Sequence, residues 1–140
     1  LIEEREAAWK EVQADRARRY PTLGDLPGLP LSATRGTHLH RLPGLIKKRI
    51  DEHQRKVPTG QLNDWLREAQ RTRAVPSNKL GHAPRVYYVT QTGQGPPEFT
   101  LFVNQPSKLS ENYRRYLWLH LTDHFGFHGT PVRLRMRKSD

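Results

Sequence analysis

Arg85-Val86-Tyr87-Tyr88-Val89-Thr90 and, further on, Phe99-Thr100-Leu101-Phe102-Val103 are two runs of β-branched and aromatic residues, the composition of strands. Thr92-Gly93-Gln94-Gly95-Pro96-Pro97 joins them. It is too long and too proline-rich for a two-residue hairpin, but suits a longer one. Downstream, Val132-Arg133-Leu134-Arg135-Met136-Arg137 alternates strictly between apolar and basic, as a strand with one covered face does. Between these strands Ser110 is placed to cap a helix whose first turn carries Glu111. Tyr113, Tyr116, Leu117 and Leu121 form the apolar side of that helix, and Gly126 is a left-handed stop. Upstream, Leu62, Trp65, Leu66 and Ala69 fall at i, i+3, i+4 and i+7 of another helix, with Thr59 as its expected N-cap. From Thr59 the order is therefore α-β-β-α-β. The expected architecture is α+β: a three-stranded sheet with helices on one face, about 80 residues long and large enough to fold alone.

The chain before this unit reads differently. Leu1 to about Tyr20 predicts a helix, with Leu1, Ile2, Ala8, Trp9 and Val12 as its apolar stripe. Glu3, Glu4 and Glu6 sit early and Arg16, Arg18 and Arg19 late, as the helix dipole prefers. Pro21 stops it, and Pro21 to Pro30 reads as a turn-rich connection, with a very short strand expected at Leu29 and Leu31. Leu39, Leu42, Ile46 and Ile50 carry a second helix. Pro43 is tolerated in its first turn, so the regular helix starts there after a single preceding turn and runs to about Lys56. Val75 to Pro84 reads as a loop. Residues up to about 50 hold too few large apolar side chains for a domain of their own. The chain opens on Leu1, and its only Met is Met136, so a fragment of a longer protein is the expectation.

Composition narrows the chemistry. The 140 residues include 24 Lys+Arg against 14 Asp+Glu, a formal net charge of +10. No apolar run approaches the ~20 residues of a membrane helix, and no leader pattern opens the chain. The absence of Cys removes disulfide and thiolate-metal chemistry and fits a reducing compartment, so a cytoplasmic location is expected; with no amphipathic apolar-basic anchor, no membrane partner is expected. The excess charge is the footprint of a polyanion binder.

For catalysis the residues offer little. There is no G-x-x-x-x-G-K-[ST] loop, no Cys nucleophile and no G-x-S-x-G elbow. His38 and His40, and the i, i+4 pair His120 and His124, read as ordinary histidines rather than metal ligands, so no metal site and no catalytic residue is assigned. Gly126-Phe127-His128-Gly129 has the G-x-x-G spacing of a nucleic-acid clamp, but a helix-stopping turn explains it better. The basic residues are more informative. Arg133, Arg135 and Arg137 lie on one side of a strand, about 6.6–6.8 Å apart, close to a phosphate spacing. Arg114 and Arg115, Lys108 before them, and Arg67, Arg71 and Arg73 on or near the third helix add to this candidate phosphate-binding set. Tyr87, Tyr88 and Trp118 are candidate stacking surfaces for bases. The competing reading is a solvated basic face with the aromatics in the core.

Several collinear blocks then resemble one family. They are Thr59-Gly60-Gln61-Leu62-Asn63; Thr90-Gln91; Pro96-Pro97-Glu98-Phe99; Phe102-Val103-Asn104; Tyr113-Arg114-Arg115-Tyr116-Leu117; Phe125-Gly126-Phe127; and Gly129-Thr130-Pro131-Val132-Arg133-Leu134. Together they resemble the C-terminal KH-like domain of the Der (EngA) bacterial GTPases, over roughly residues 45–140. Leu31-Ser32-Ala33-Thr34 followed by Gly36 resembles the Ser-Ala guanine-recognition loop of GTPase domains. The resemblance implies that residues 1–44 are the end of a P-loop GTPase domain, with Ser32 and Ala33 as a remnant guanine motif. It also implies a role in large-subunit ribosome biogenesis, with ribosomal RNA and the intramolecular GTPase domains as partners. GTP and Mg would belong to the parent protein and no cofactor to this chain, which lacks the P-loop, switch and Asn-Lys-x-Asp motifs and is expected to be inactive alone. Within that family the basic sheet leaves two functions open: contact with ribosomal RNA, or docking on a GTPase domain as a regulatory module that reports nucleotide state.

Overall fold

The computed structural model describes residues 2–20, 27–77 and 81–139. Its elements are α1 (Ile2–Arg19), α2 (Leu42–His53, preceded by a 3-10 turn at Leu39–Arg41), α3 (Thr59–Thr72), β1 (Val86–Gly93), β2 (Glu98–Val103), α4 (Glu111–His124) and β3 (Arg133–Lys138), with a second 3-10 turn at Pro106–Lys108. Contacts divide the chain into two units. One comprises the residues up to Asp51 with His128–Thr130, and the other Glu52–Phe127 with Pro131 onward.

The larger unit is the α+β domain. Its strands lie in the order β1-β2-β3, with β1 antiparallel and β3 parallel to β2. A parallel pair needs a crossover, and α4 provides it. α3 and α4 cover one face. Leu62, Trp65, Leu66 and Ala69 of α3 and Tyr113, Leu117 and Leu121 of α4 pack on Val86, Val89, Phe99, Leu101 and Val103. The polar ends of the buried aromatics are satisfied. Tyr113 and Tyr116 hydroxyls donate to the carbonyls of Arg73 (2.9 Å) and Ala69 (2.8 Å), and Trp65 Nε1 donates to His120 Nδ1 (2.8 Å).

Strand β1 lies at an edge of the sheet, yet the polar side chains of α3 meet part of that edge. Asn63 Oδ1 accepts from the Val89 N–H (3.0 Å), while Nδ2 donates to the Val89 carbonyl (3.1 Å), so one amide substitutes for a neighbouring strand. Gln70 donates to the Val86 carbonyl (3.2 Å). Gln91 performs the same service for the segment before α3, accepting from Val57 N–H (2.7 Å) and donating to the Arg55 carbonyl (2.9 Å).

Local signals place most boundaries. Ser110 caps α4, its Oγ accepting from the Tyr113 N–H (3.3 Å). Gly126 (φ 65°) ends that helix in the left-handed region, with the Phe127 N–H on the Thr122 carbonyl (2.9 Å). Three expectations are corrected. Thr59 is the first residue of α3 rather than its cap; Pro58 stands at the cap and offers no side-chain bond. α2 ends at His53, three residues short of Lys56, because the chain turns there: the Arg55 N–H bonds to the Glu52 carbonyl (3.2 Å). Leu29 and Leu31 form no strand; pairing there is a single bridge from Ser32 to Thr37. Leu1, Pro21 to Leu26 and Asn78 to Leu80, which the sequence reading included in a helix, a connection and a loop, lie outside the described residues.

Candidate nucleic-acid interface

The face of the sheet opposite the helices is arranged in rows by strand register. Tyr88 pairs with Phe102 and Phe102 with Arg137; Thr90 pairs with Thr100 and Thr100 with Arg135; Glu98 pairs with Arg133. Side chains at paired positions share a face. Arg133, Arg135 and Arg137 therefore stand together on the uncovered side, exposed, while Leu134 and Met136 turn toward the helix layer. Arg135 Nε bonds to Glu98 Oε2 (2.9 Å). Thr92, Thr100 and Glu98 form a hydroxyl–carboxylate cluster beside it, with Thr92 and Thr100 Oγ1 atoms 2.9 Å apart. Among the described residues, Arg133 and Arg137 have no carboxylate partner.

The other basic candidates lie elsewhere. Arg67 and Arg71 are exposed on α3, paired one turn back with Asp64 and Glu68. Arg73 lies with its guanidinium 5.2 Å from the Tyr116 ring centre. These three are on the helix layer, so they do not share a face with the arginine row. Arg114 is turned inward. Its side chain is only 32% exposed, it binds the Leu109 (3.1 Å) and Pro106 (2.7 Å) carbonyls, and it ties the 106–109 turn to α4. Arg115 is exposed beside a groove of about 470 Å³, lined also by Trp118, Leu134 and Met136, and Lys108 is exposed on the 3-10 turn.

Of the three candidate stacking residues, Tyr88 is on the open face. Trp118 belongs to the helix-side groove, its Nε1 donating to the Val132 carbonyl (2.9 Å). Tyr87 is the extra residue of a β-bulge between Val86 and Tyr88, and is exposed. Sequence reading missed Phe102, which stacks on Tyr88 with ring centres 4.4 Å apart and planes at 13°. The signal was present: in Phe99-Thr100-Leu101-Phe102-Val103 alternation puts Phe102 on the side opposite the buried set. It also missed Glu98 as the counter-ion of Arg135.

In the smaller unit, Ser32 and Ala33 lie on a tight loop. The Ser32 N–H bonds to the Thr37 carbonyl (3.1 Å), and Ser32 Oγ accepts from the Arg35 N–H (3.3 Å). Gly36 (φ 68°) makes the turn possible. Ser32 borders a cleft shared with Trp9, Val12, Leu31 and His38. His38 Nδ1 donates to the Pro30 carbonyl (2.8 Å). Among the described residues no group of three His, Asp or Glu is placed to hold a metal, and no helix is long and apolar enough to cross a membrane.

With this geometry in hand, the family model described as "KH-domain-like of EngA bacterial GTPase enzymes, C-terminal" matches residues 56–137. The chain belongs to the EngA (Der) family. Among its relatives, the protein named GTPase Der of Wolinella succinogenes is 36% identical over 134 residues, covering 96% of this chain and 28% of the relative. GTPase Der of Trichodesmium erythraeum is 40% identical over 107 residues, covering 76% of this chain and 24% of the relative. That of Thermosynechococcus vestitus is 35% identical over 129 residues, covering 90% and 29%. The chain thus spans about a quarter of the length of these Der relatives. The matched EngA segment takes in β1, β2, α4, α3 and nearly all of β3, so the arginine row and the Tyr88–Phe102 pair lie inside the KH-like domain.

Proposed function

We propose that this chain acts as the C-terminal region of a Der-type GTPase in maturation of the large ribosomal subunit, and that its KH-like domain holds ribosomal RNA by the phosphate backbone. The observation that carries this reading is the row of Arg133, Arg135 and Arg137 on a sheet face that no helix covers. A guanidinium binds phosphate bidentately and stays charged at any working pH. Lys108 and Arg115, exposed near the end and the flank of the sheet, extend the attraction. Arg67, Arg71 and Arg73 supply field from the opposite layer rather than contacts to the same strand of RNA.

The Ser32–Ala33 loop is the one part of the chain that resembles a guanine site. Its backbone would border the base, and with no phosphate-cradling loop in the 140 residues the chain holds no GTP and hydrolyses none by itself. Nucleotide binding and Mg chemistry belong to the longer polypeptide, which acts in the cytoplasm.

Affinity for a large-subunit RNA fragment, measured against salt, tests the RNA reading. With Arg135 held by Glu98, phosphate contacts from Arg133 and Arg137 to a single strand predict a log–log slope of about −1.4. Changing Arg133, Arg135 and Arg137 together to Glu should abolish binding; unaltered binding would overturn the assignment. A second reading has its own support. The apolar floor of Trp118, Leu134 and Met136 beside Arg115 suits a protein surface better than phosphates. If the triple variant binds RNA normally and Arg115→Glu at that helix-side groove abolishes association with the GTPase domains, docking is the function of the domain.

A further inference from the structure

We propose that the Tyr88–Phe102 pair is a stacking platform for bases of an unpaired RNA strand, so that the open sheet face selects single-stranded over duplex RNA. The inference rests on the RNA reading above and adds a base-contacting function to it. Three observations converge. First, the register sets Tyr88, Phe102 and Arg137 in one row across the three strands, so an aromatic stack and a guanidinium without a carboxylate partner among the described residues stand side by side. A nucleotide needs those two contacts: a π-face for the base and a cation for its phosphate.

Second, the rings are nearly parallel, at 13°, with their centres 4.4 Å apart. Tyr88 remains 42% exposed. A base laid on its outer face extends a two-ring stack to three. Val86 and Val89 belong to the helix-side core cluster, and the pair lies outside that cluster.

Third, the bulge is what puts the pair there. Strict alternation from Val86 would send Tyr88 to the same side as Val86 and push Val89 outward. The extra residue Tyr87 resets the phase, keeping both valines inside and turning Tyr88 out against Phe102. Bulges are over-represented at sheet edges and next to active sites, where they re-aim a side chain or end a pairing, and β1 is an edge strand. Glu98 sharpens the polarity of the face. It neutralises Arg135, leaving the Arg137 end beside the aromatic row with the stronger pull on phosphate.

The test uses the full chain and a labelled unpaired RNA oligonucleotide. It is compared with the same backbone carrying abasic sites, with a duplex of equal charge, and with a DNA strand of the same sequence. The unpaired RNA should bind about 5- to 150-fold tighter than the abasic strand, the range of one stacked base. Tyr88→Leu and Phe102→Leu, which keep apolar contact but remove the π-face, should erase that preference and leave the salt slope unchanged. Far-UV circular dichroism checks that both variants fold. Equal binding of the unpaired, abasic and duplex RNA with a steep salt slope would overturn the platform while leaving phosphate binding intact. Absence of binding to any of them at low salt would overturn the RNA reading itself, and a tenfold preference for DNA would overturn the assignment to RNA.

Discussion

Asn63→Ala is the substitution that best tests how the sheet is held, because two physical arguments give it opposite signs. On an isolated helix the change is favourable, since alanine exceeds asparagine in helix propensity by up to about 0.7 kcal/mol. In the folded domain the amide closes an edge. It accepts from the Val89 N–H at 3.0 Å and donates to the Val89 carbonyl at 3.1 Å and the Thr59 carbonyl at 2.8 Å. Removing it strands two peptide groups of β1 against a methyl. Each shielded group left without a partner costs about 1–3 kcal/mol. Asn63 is half-buried, so water recovers part of this, and the net loss is about 2–3 kcal/mol. Asn63→Asp gives no rescue: it keeps the acceptor but sets an anion against the Val89 carbonyl. Urea unfolding measures the loss from the midpoint at constant slope, and amide exchange at Val89 reports it locally. If Asn63→Ala is as stable as the parent or more so, with Val89 still protected, the edge-closure argument is wrong.

Glu98→Gln releases Arg135 from its 2.9 Å ion pair, so RNA should bind more tightly and the salt slope should steepen by about 0.7; weaker binding in an anisotropy titration would contradict the placement of the phosphate path. Burial, reinforced by the neighbouring Tyr116 and opposed by Arg73, pushes the Tyr113 hydroxyl up to about 12. Because the folded value lies above the unfolded one, this contribution to stability is complete below pH 10 and is lost as pH rises toward 12; tyrosinate absorbance that Tyr113→Phe removes should appear only there. Gly126→Ala should cost about 1–2 kcal/mol in thermal or urea unfolding, since φ is 65° and an added Cβ meets nothing within 4 Å, leaving backbone conformation as the whole penalty.

Much of the site could be read directly from residues. The alternation Val132-Arg133-Leu134-Arg135-Met136-Arg137 needs no partner strand to reveal a basic face and an apolar one, and the structure keeps both. Arg114 and Arg115 are indistinguishable in sequence, yet they diverge. A helix advances by 100° per residue, so Arg114 falls against the 106–109 turn and becomes a structural tie while its neighbour stays at the surface. The tyrosine pair shows the same limit. Tyr87 and Tyr88 are equivalent by composition, and only the register with β2 decides that Tyr88 is paired and Tyr87 is the bulge.

By itself the sequence determined what depends on neighbours along the chain: the order α-β-β-α-β, the Ser110 cap, the Gly126 stop, the proline boundaries and the sidedness of β3. These follow from dihedral preference and periodicity, which act over a few residues. The tertiary structure alone decided which basic residues share a surface, that Glu98 neutralises Arg135, that Phe102 completes an aromatic pair, and that the Asn63 amide takes the place of a missing strand. The last three are pairings between residues 14 to 37 positions apart. Such pairings are fixed by strand register and helix packing, and no local pattern encodes the half-step shift that a single bulged residue imposes on everything after it.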